Sequence, residues 1–232
     1  MARVASFHLV REPRRETLRV LARLGLDRPR LARVDGLGFW RLLGTGAGSD
    51  TGPSADLARS AMFGVWESEG HLDRFLADHP IARRWTTAEE SWHVRLRGVG
   101  GHGTWRGHDP FDDLTPAHDS GGAVAVITRA DVHLRAGREF RRAAREVDDE
   151  LHTADGLIDV VGVGEAPVGR LATFSLWESP AAVRNFAYSL PRHREVIRQT
   201  RDRRWYGEER FARFEPYGSS GSWDGRDPLA DR

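Results

Sequence analysis

Apolar and polar positions alternate with a period of two in several short stretches, and with a period near 3.6 between them. In the first part of the chain Val4 to Val10, Leu37 to Leu43, Ala61 to Trp66 and the stretch around Trp92 to Arg97 read as strands. Thr17 to Leu24 reads as a helix, with Leu18, Leu21 and Ala22 on one face and Gly25 as its stop. Helical residues also follow Trp66 as far as about Trp85. In the second part Gly122 to Arg129, Leu157 to Gly164 and Leu171 to Trp177 read as strands. Arg138 to Leu151 carries the clearest helical stripe, formed by Phe140, Ala143, Ala144, Val147 and Leu151. Ser179 before Pro180 is an N-cap followed by proline at the first helical position, and Val183 and Phe186 share a face of that helix. Pro191 opens another helix, on which His193, Val196, Ile197 and Thr200 recur at i, i+3, i+4 and i+7. An aromatic and charged strand ending near Phe214 follows.

The two parts repeat one another. Phe63-Gly-Val-Trp66-Glu-Ser68 corresponds to Phe174-Ser-Leu-Trp177-Glu-Ser179, and Phe75 and Pro80 correspond to Phe186 and Pro191. Trp85, Glu89-Glu90 and Trp92 echo Trp205, Glu208-Glu209 and Phe211. Both parts close on G-x-W-x-G-x-D-P, at Gly103 to Pro110 and Gly221 to Pro228. Ordered matches of this kind indicate an internal duplication. Each copy reads β-α-β-β-α-β, the ferredoxin-like arrangement. A sheet with helices on one face must bury the other, and the second copy is the natural cover. The expected fold is therefore α+β: two tandem ferredoxin-like repeats, residues 1–112 and 121–232, forming a dimeric α/β barrel within one chain. Gly98 to Ser120 is expected to link them.

Composition narrows the chemistry. The chain has 232 residues and a net charge of +1, which offers no strong field for nucleic acid. All 35 basic residues are arginine, and there is no cysteine, so disulfides, thiolate nucleophiles, cysteine-type zinc sites and thiolate-ligated haem are excluded. No apolar run is long enough to span a bilayer and the N-terminus lacks a signal-peptide core, which leaves a cytoplasmic location as the expectation. The Gly-rich stretch Gly44 to Pro53 completes no phosphate-binding motif.

Several blocks together resemble the bacterial spheroidene monooxygenases, the carotenoid ketolases of purple bacteria, over nearly the whole chain. They include Gly36-Leu-Gly-Phe-Trp40, Ala88-Glu-Glu-Ser-Trp92, Thr128-Arg-Ala130, Gly162-Val-Gly-Glu165, Phe174-Ser-Leu-Trp177, His193 with Ile197-Arg198, and Trp205-Tyr-Gly-Glu-Glu209. The resemblance implies a haem b oxygenase that hydroxylates the C-2 carbon of an acyclic carotenoid twice, with loss of water leaving a ketone. It implies a small apolar substrate and an electron donor such as ferredoxin. A peripheral membrane contact and a homo-oligomer stand as further expectations. His193 matches the histidine of the family's H-x-x-x-I-R pattern and becomes the candidate iron ligand. Arg129 and Ser175 are the candidate distal catalytic groups. Arg198 is placed near a haem propionate and Trp177 beside the cofactor. Each has an ordinary alternative: a capping histidine, a paired strand-end arginine, a structural hydroxyl, a solvated helix arginine, or tryptophan packing between copies. His71 and His79 belong to the first copy, expected to be scaffold, and a large apolar pocket is expected in the second. Other haem enzymes of this barrel, aldoxime dehydratases and dye peroxidases, give one alternative activity, acting on a small nitrogen-containing or aromatic substrate. Cofactor-free monooxygenases or binding modules give another.

Overall fold

The computed structural model describes residues 2–46, 55–112, 114, 121–165, 170–189 and 205–230. Eight antiparallel strands form one closed barrel: β1 (Val4–Arg11), β2 (Leu37–Gly46), β3 (Ala55–Trp66), β4 (Glu90–Gly103), β5 (Val124–Val132), β6 (Leu157–Gly164), β7 (Arg170–Trp177) and β8 (Tyr206–Gly221). Their order around the barrel is β1-β3-β2-β6-β7-β5-β8-β4. Each half is thus a four-stranded ferredoxin-like sheet, and the halves join at β4 with β8 and at β2 with β6. The helices α1 (Thr17–Leu26), α2 (Arg28–Leu31), α3 (Glu69–Asp78) and α4 (Pro80–Trp85) belong to the first half. The second half has α5 (Gly137–His152) and α6 (Pro180–Ser189). Ser179 caps α6 as its sequence requires, its Oγ accepting from the Ala182 N–H at 3.2 Å.

The register makes the duplication concrete. Val4 pairs with Trp66 as Val124 pairs with Trp177, and β2 and β6 carry the same irregularity, after Leu37 and after Leu157. One correspondence is corrected. Trp92 faces the barrel interior and Phe211 does not, so Trp92 matches Arg210 and His93 matches Phe211, and the same slip matches Glu90 to Glu208 rather than to Glu209. A one-residue slip in a strand exchanges its faces, and spacing alone did not reveal it. The expected linker is also shorter than the sequence suggested, because Gly98 to Gly103 continue β4 and pair with β8.

The barrel is solid. Phe7 of the first half stacks on Phe174 of the second with ring centroids 3.9 Å apart, and Phe63 meets Phe214 at 5.7 Å. The two terminal loops finish this core by crossing over. Trp105, after β4, and Trp223, after β8, are buried among these aromatics. Each loop docks on the first residues of the other half's last strand. Glu208 accepts from the Gly107 N–H (2.6 Å), the Thr104 hydroxyl (2.7 Å) and the Arg106 N–H (3.0 Å). Glu90 accepts in the same way from the Gly225 N–H (2.7 Å) and the Ser222 hydroxyl (3.2 Å). Asp109 takes Arg210 at 2.7 Å, while Asp227 takes the Trp92 indole N–H at 2.9 Å. The repeated signature now has a cause at each position. Gly103 and Gly221, both at φ 87°, pass so close to the Glu209 and Ser91 carbonyls that no side chain fits. The tryptophan plugs the barrel. The aspartate receives the backbone N–H of Phe111 or Leu229.

Two expectations follow. Trp105→Ala and Trp223→Ala should each cost about 3–5 kcal/mol, the usual range for emptying a buried aromatic site. Because either ring packs in a core shared by both halves, urea should still unfold the chain in one transition. Separate transitions for the halves would contradict a shared core.

The second expectation concerns acid. Burial opposes the charge on Glu208, but the Gly107, Thr104, Arg106 and Arg129 donors outweigh it and hold its pKa down at about 2, against an ordinary 4.5. A carboxyl lowered on folding contributes stability that is complete above its unfolded pKa and fades as pH falls through the folded one. Glu208→Gln should therefore flatten the decline of the urea midpoint between pH 4.5 and about 2. An unchanged slope would show that the loop contacts do not bias its ionisation.

Candidate functional site

The barrel wall has an inner and an outer face, and the candidate residues divide between them. Ser175 and Trp177 lie on the outer face of β7, both buried. Trp177 packs against Phe186 of α6 at 5.2 Å, and its indole N–H donates to Ser175 Oγ at 2.9 Å. The serine keeps its own O–H as a donor. Trp177 therefore spends its one polar group on its neighbour.

Arg129 lies on the inner face, paired in register with Ala172, whereas Ser175 is paired with Val126. Its side chain is 1% exposed and is held by Glu208, by Asp131 at 3.0 Å and by Glu165 at 3.7 Å. Glu165 also accepts from the Trp105 indole at 2.7 Å and pairs with Arg106 at 2.6 Å. The sequence reading joined Arg129 and Ser175 in one distal pocket. The structure separates them across the thickness of the sheet, and carboxylates already surround the guanidinium. Arg129 belongs to the closure of the barrel end. Strand alternation alone placed it with Ala125 and Ile127, but only the strand pairing shows which face Ser175 takes.

His193 and Arg198 lie outside the described residues. The repeat offset aligns position 193 with Ala82, which α4 buries in the same apolar cluster as Met62 and Trp85.

The outer faces of the two halves, compared strand by strand, differ at several rows, and one of them exchanges large side chains for small ones. In the first half the row runs His93, His8, Met62, Leu42. In the second it runs Phe211, Thr128, Thr173, Gly162. Three large side chains are thus replaced by two threonines and a glycine. The first row is filled. His8 and Met62 are each 1% exposed, and His8 stacks on Trp85 at 4.8 Å. His8 Nε2 lies 2.8 Å from Ser6 Oγ, which also accepts from the Trp66 indole, and its Nδ1 lies 3.1 Å from His93 Nδ1. Burial, with His93 and Arg95 nearby, pushes the His8 pKa well below the ordinary value, and burial brings His93 to about 4. This imidazole pair is therefore neutral.

The second row is covered unevenly: Gly162 is buried and Thr173 half-buried. Thr128 is exposed where His8 is buried. The apolar layer outside the first sheet forms one cluster, from Val4 to Trp85. Outside the second sheet the described residues form two clusters. One cluster holds Val126, Val160 and Trp177, and the other holds Val132, Ala143 and Trp205, with Phe140 packed against it. Thr128 and Gly162 stand within the resemblance blocks noted above, but only the pairing of the copies shows what their small size does.

The pocket expected in the second half has a described counterpart in the first. A small cleft, with room for about 40 Å³, opens between β1, β3 and α1, lined by Val10, Val20, Met62, Ile81 and Trp85. Its charged groups are paired with each other, Arg23 with Glu12 at 2.6 Å and Arg84 with Asp27. Among the described residues no group of three or more metal-binding side chains comes together. A haem iron asks for less, since one axial side chain can hold it.

No protein-family model matches the chain. Curated relatives do. It is 32% identical over 195 residues to spheroidene monooxygenase of Cereibacter sphaeroides, covering 83% of this chain and 60% of that protein's length. It is 30% identical over 215 residues to spheroidene monooxygenase of Rhodobacter capsulatus, covering 92% of this chain and 89% of that one. Among solved structures, an aldoxime dehydratase matches with a TM-score of 0.60 at 11% identity, over 98% of this chain and 86% of that one. Another, crystallised with butyraldoxime, matches at 0.57 and 12% identity, over 93% and 79%. Likeness at that distance speaks for the barrel alone. The curated relatives speak for descent: with near-full-length identity to the Rhodobacter capsulatus protein, the chain belongs to the spheroidene monooxygenase family.

Proposed function

We propose that this chain is a haem-dependent monooxygenase that oxidises an apolar, carotenoid-like substrate by hydroxylation to a ketone. In this reading haem b lies against the outer face of the second half's sheet, and His193 is its iron ligand. The observation that carries it is the row Thr128, Thr173 and Gly162, where small residues stand in place of His8, Met62 and Leu42 of the other half. The names of the relatives support the monooxygenase class and the carotenoid-like substrate.

When bound, haem supplies the activation of O₂, with electrons from a donor such as ferredoxin. Each hydroxylation inserts one oxygen atom of O₂ into a C–H bond and sends the other to water. A carbon hydroxylated twice then loses water to leave the ketone. The chain's own residues have simpler tasks. The apolar clusters on either side of the row, with Val126 and Val160 on one and Phe140 and Trp205 on the other, exclude water and desolvate the substrate. Trp177 holds Ser175 by its oxygen, so that the serine O–H is presented as a donor. Thr128 and Thr173 offer further hydroxyls. The neutral His8–His93 pair occupies the corresponding place in the first half, which leaves that half as scaffold.

Haemin titration tests the cofactor. The purified chain should develop a Soret band at one equivalent, and His193→Ala should lose it while His79→Ala keeps it. A chain that takes no haemin and still turns over substrate would establish the cofactor-free alternative.

A second test uses the duplication itself. Gly162→Leu with Thr173→Met installs the side chains of Leu42 and Met62 in the second half. Haemin affinity should fall at least about tenfold, or ~1.4 kcal/mol, with an unchanged far-ultraviolet circular dichroism spectrum. Undiminished binding would place the cofactor elsewhere.

A further inference from the structure

Helix α1 is apolar on two sides. Val20 and Leu24 turn inward and line the first-half cleft. Leu18, Leu21 and Leu26 turn outward and are 81%, 42% and 69% exposed. A single exposed leucine is ordinary. Here the helical period sets Leu18, Leu21, Ala22 and Gly25 on one face with Leu26 at its edge, and all five are exposed. Among the described residues nothing in the sheet or the other helices buries them. Such a continuous apolar face marks an interaction surface.

The surroundings of this face say what it meets. From Arg14 to Arg33 there are seven arginines against two acids, a net +5 in a chain whose total is +1. Arg14, Arg15, Arg19, Arg28, Arg30 and Arg33 are all exposed. The two acids do not offset them at the surface. Glu16 is bonded to Arg19 at 2.7 Å, and Asp27 is buried between Arg84 and Arg30, the latter at 3.0 Å. Among the described residues, Arg14, Arg15, Arg28 and Arg33 form no ion pair with a carboxylate.

We propose that α1 and α2 dock this protein on an anionic lipid surface, with Leu18, Leu21 and Leu26 entering the acyl boundary and the arginines meeting phosphate headgroups. An exposed apolar helix face bordered by arginine is the pattern of an interfacial helix, and headgroup phosphates accept from guanidinium in any arrangement. A second copy of this chain is a poor occupant, because a twofold contact would set the same arginines against each other. An acidic protein surface would satisfy the arginines but would have to supply an apolar seat for three protruding leucines. Lipid satisfies both at once. Among the described residues no helix is long and apolar enough to cross a membrane, so the contact is superficial. The inference deepens the proposed function by giving an apolar substrate a source, but it rests on α1 and α2 alone.

The full chain should sediment with vesicles of phosphatidylcholine and phosphatidylglycerol in about a two-to-one ratio, and not with phosphatidylcholine alone. Raising salt should weaken the binding. Leu18→Asp with Leu26→Asp should reduce partitioning at least about tenfold while leaving the urea midpoint near that of the parent, since neither side chain is in the core. A labelling measurement stands independently of that variant's folding. The chain has no cysteine, so Leu18→Cys gives one thiol for an environment-sensitive fluorophore, whose emission should shift to the blue on anionic vesicles only. Equal sedimentation of parent and double variant, or an unshifted label, overturns the proposal. So does a parent that ignores vesicles but forms a dimer or binds an acidic protein that the double variant loses. None of these readouts involves haem, so failure here and failure of the haem reading are distinguishable.

Discussion

Neither half of this chain can bury its own sheet. A four-stranded sheet with helices on one side leaves an apolar face bare, and here each half's bare face is covered by the other's. Phe7 on Phe174 and Phe63 against Phe214 are the centre of that contact, and the crossed loops are its lock. Trp105 and Trp223 are each supplied by one half and seated partly by the other, with Glu165 receiving the first indole. Even the charges at the two ends follow one plan with the signs exchanged. Arg106 meets Glu165 at one end, and Asp224 meets Arg59 at the other, both loop residues at positive φ. Glu208, Arg129 and Arg210 are drawn into this closure and are part of the frame.

That constraint governs the inner faces and leaves the outer ones free. A substitution inside the barrel disturbs a core shared by both halves, whereas one outside disturbs only the layer between a sheet and its own helices. The copies have diverged where divergence costs least. One outer face filled with His8, Met62 and Leu42, whose imidazole is satisfied by Ser6 and His93. The other carries Thr128, Thr173 and Gly162 at the same places.

Much of this fold was legible in the sequence because the signals were local or repeated. Ser179 before Pro180 specifies a helix start through its own backbone hydrogen bond, and the structure has it. The G-x-W-x-G-x-D-P signature occurs twice, and a repeated tryptophan between glycines already suggested packing between copies. What was not legible depended on register between strands distant in sequence. Arg129 was rightly aligned with Ala125 and Ile127, but nothing in its own strand told that Ser175 takes the opposite face. Trp92 was matched to Phe211 when its counterpart in the other copy is Arg210, because a one-residue slip looks minor in sequence and inverts a strand. The row of small residues escaped notice for a related reason. Threonine and glycine carry no signal as chemistry, and their meaning lies in being smaller than what stands at the same place in the other copy. The candidate ligand His193 and its neighbour Arg198 fall in a part of the chain the structure does not describe, so for them sequence remains the ground.

The central claim is that the two copies divide the work, one as scaffold and one as cofactor face. Hydrogen exchange with and without haemin, resolved by peptide, reads this division directly. The account predicts added protection in β5, β6 and β7 of the second half, around Thr128, Gly162 and Thr173, and none in β1 to β3 or in α1 to α4. Protection centred instead on the first half, at Val10, Met62 and the cleft behind α1, would contradict it.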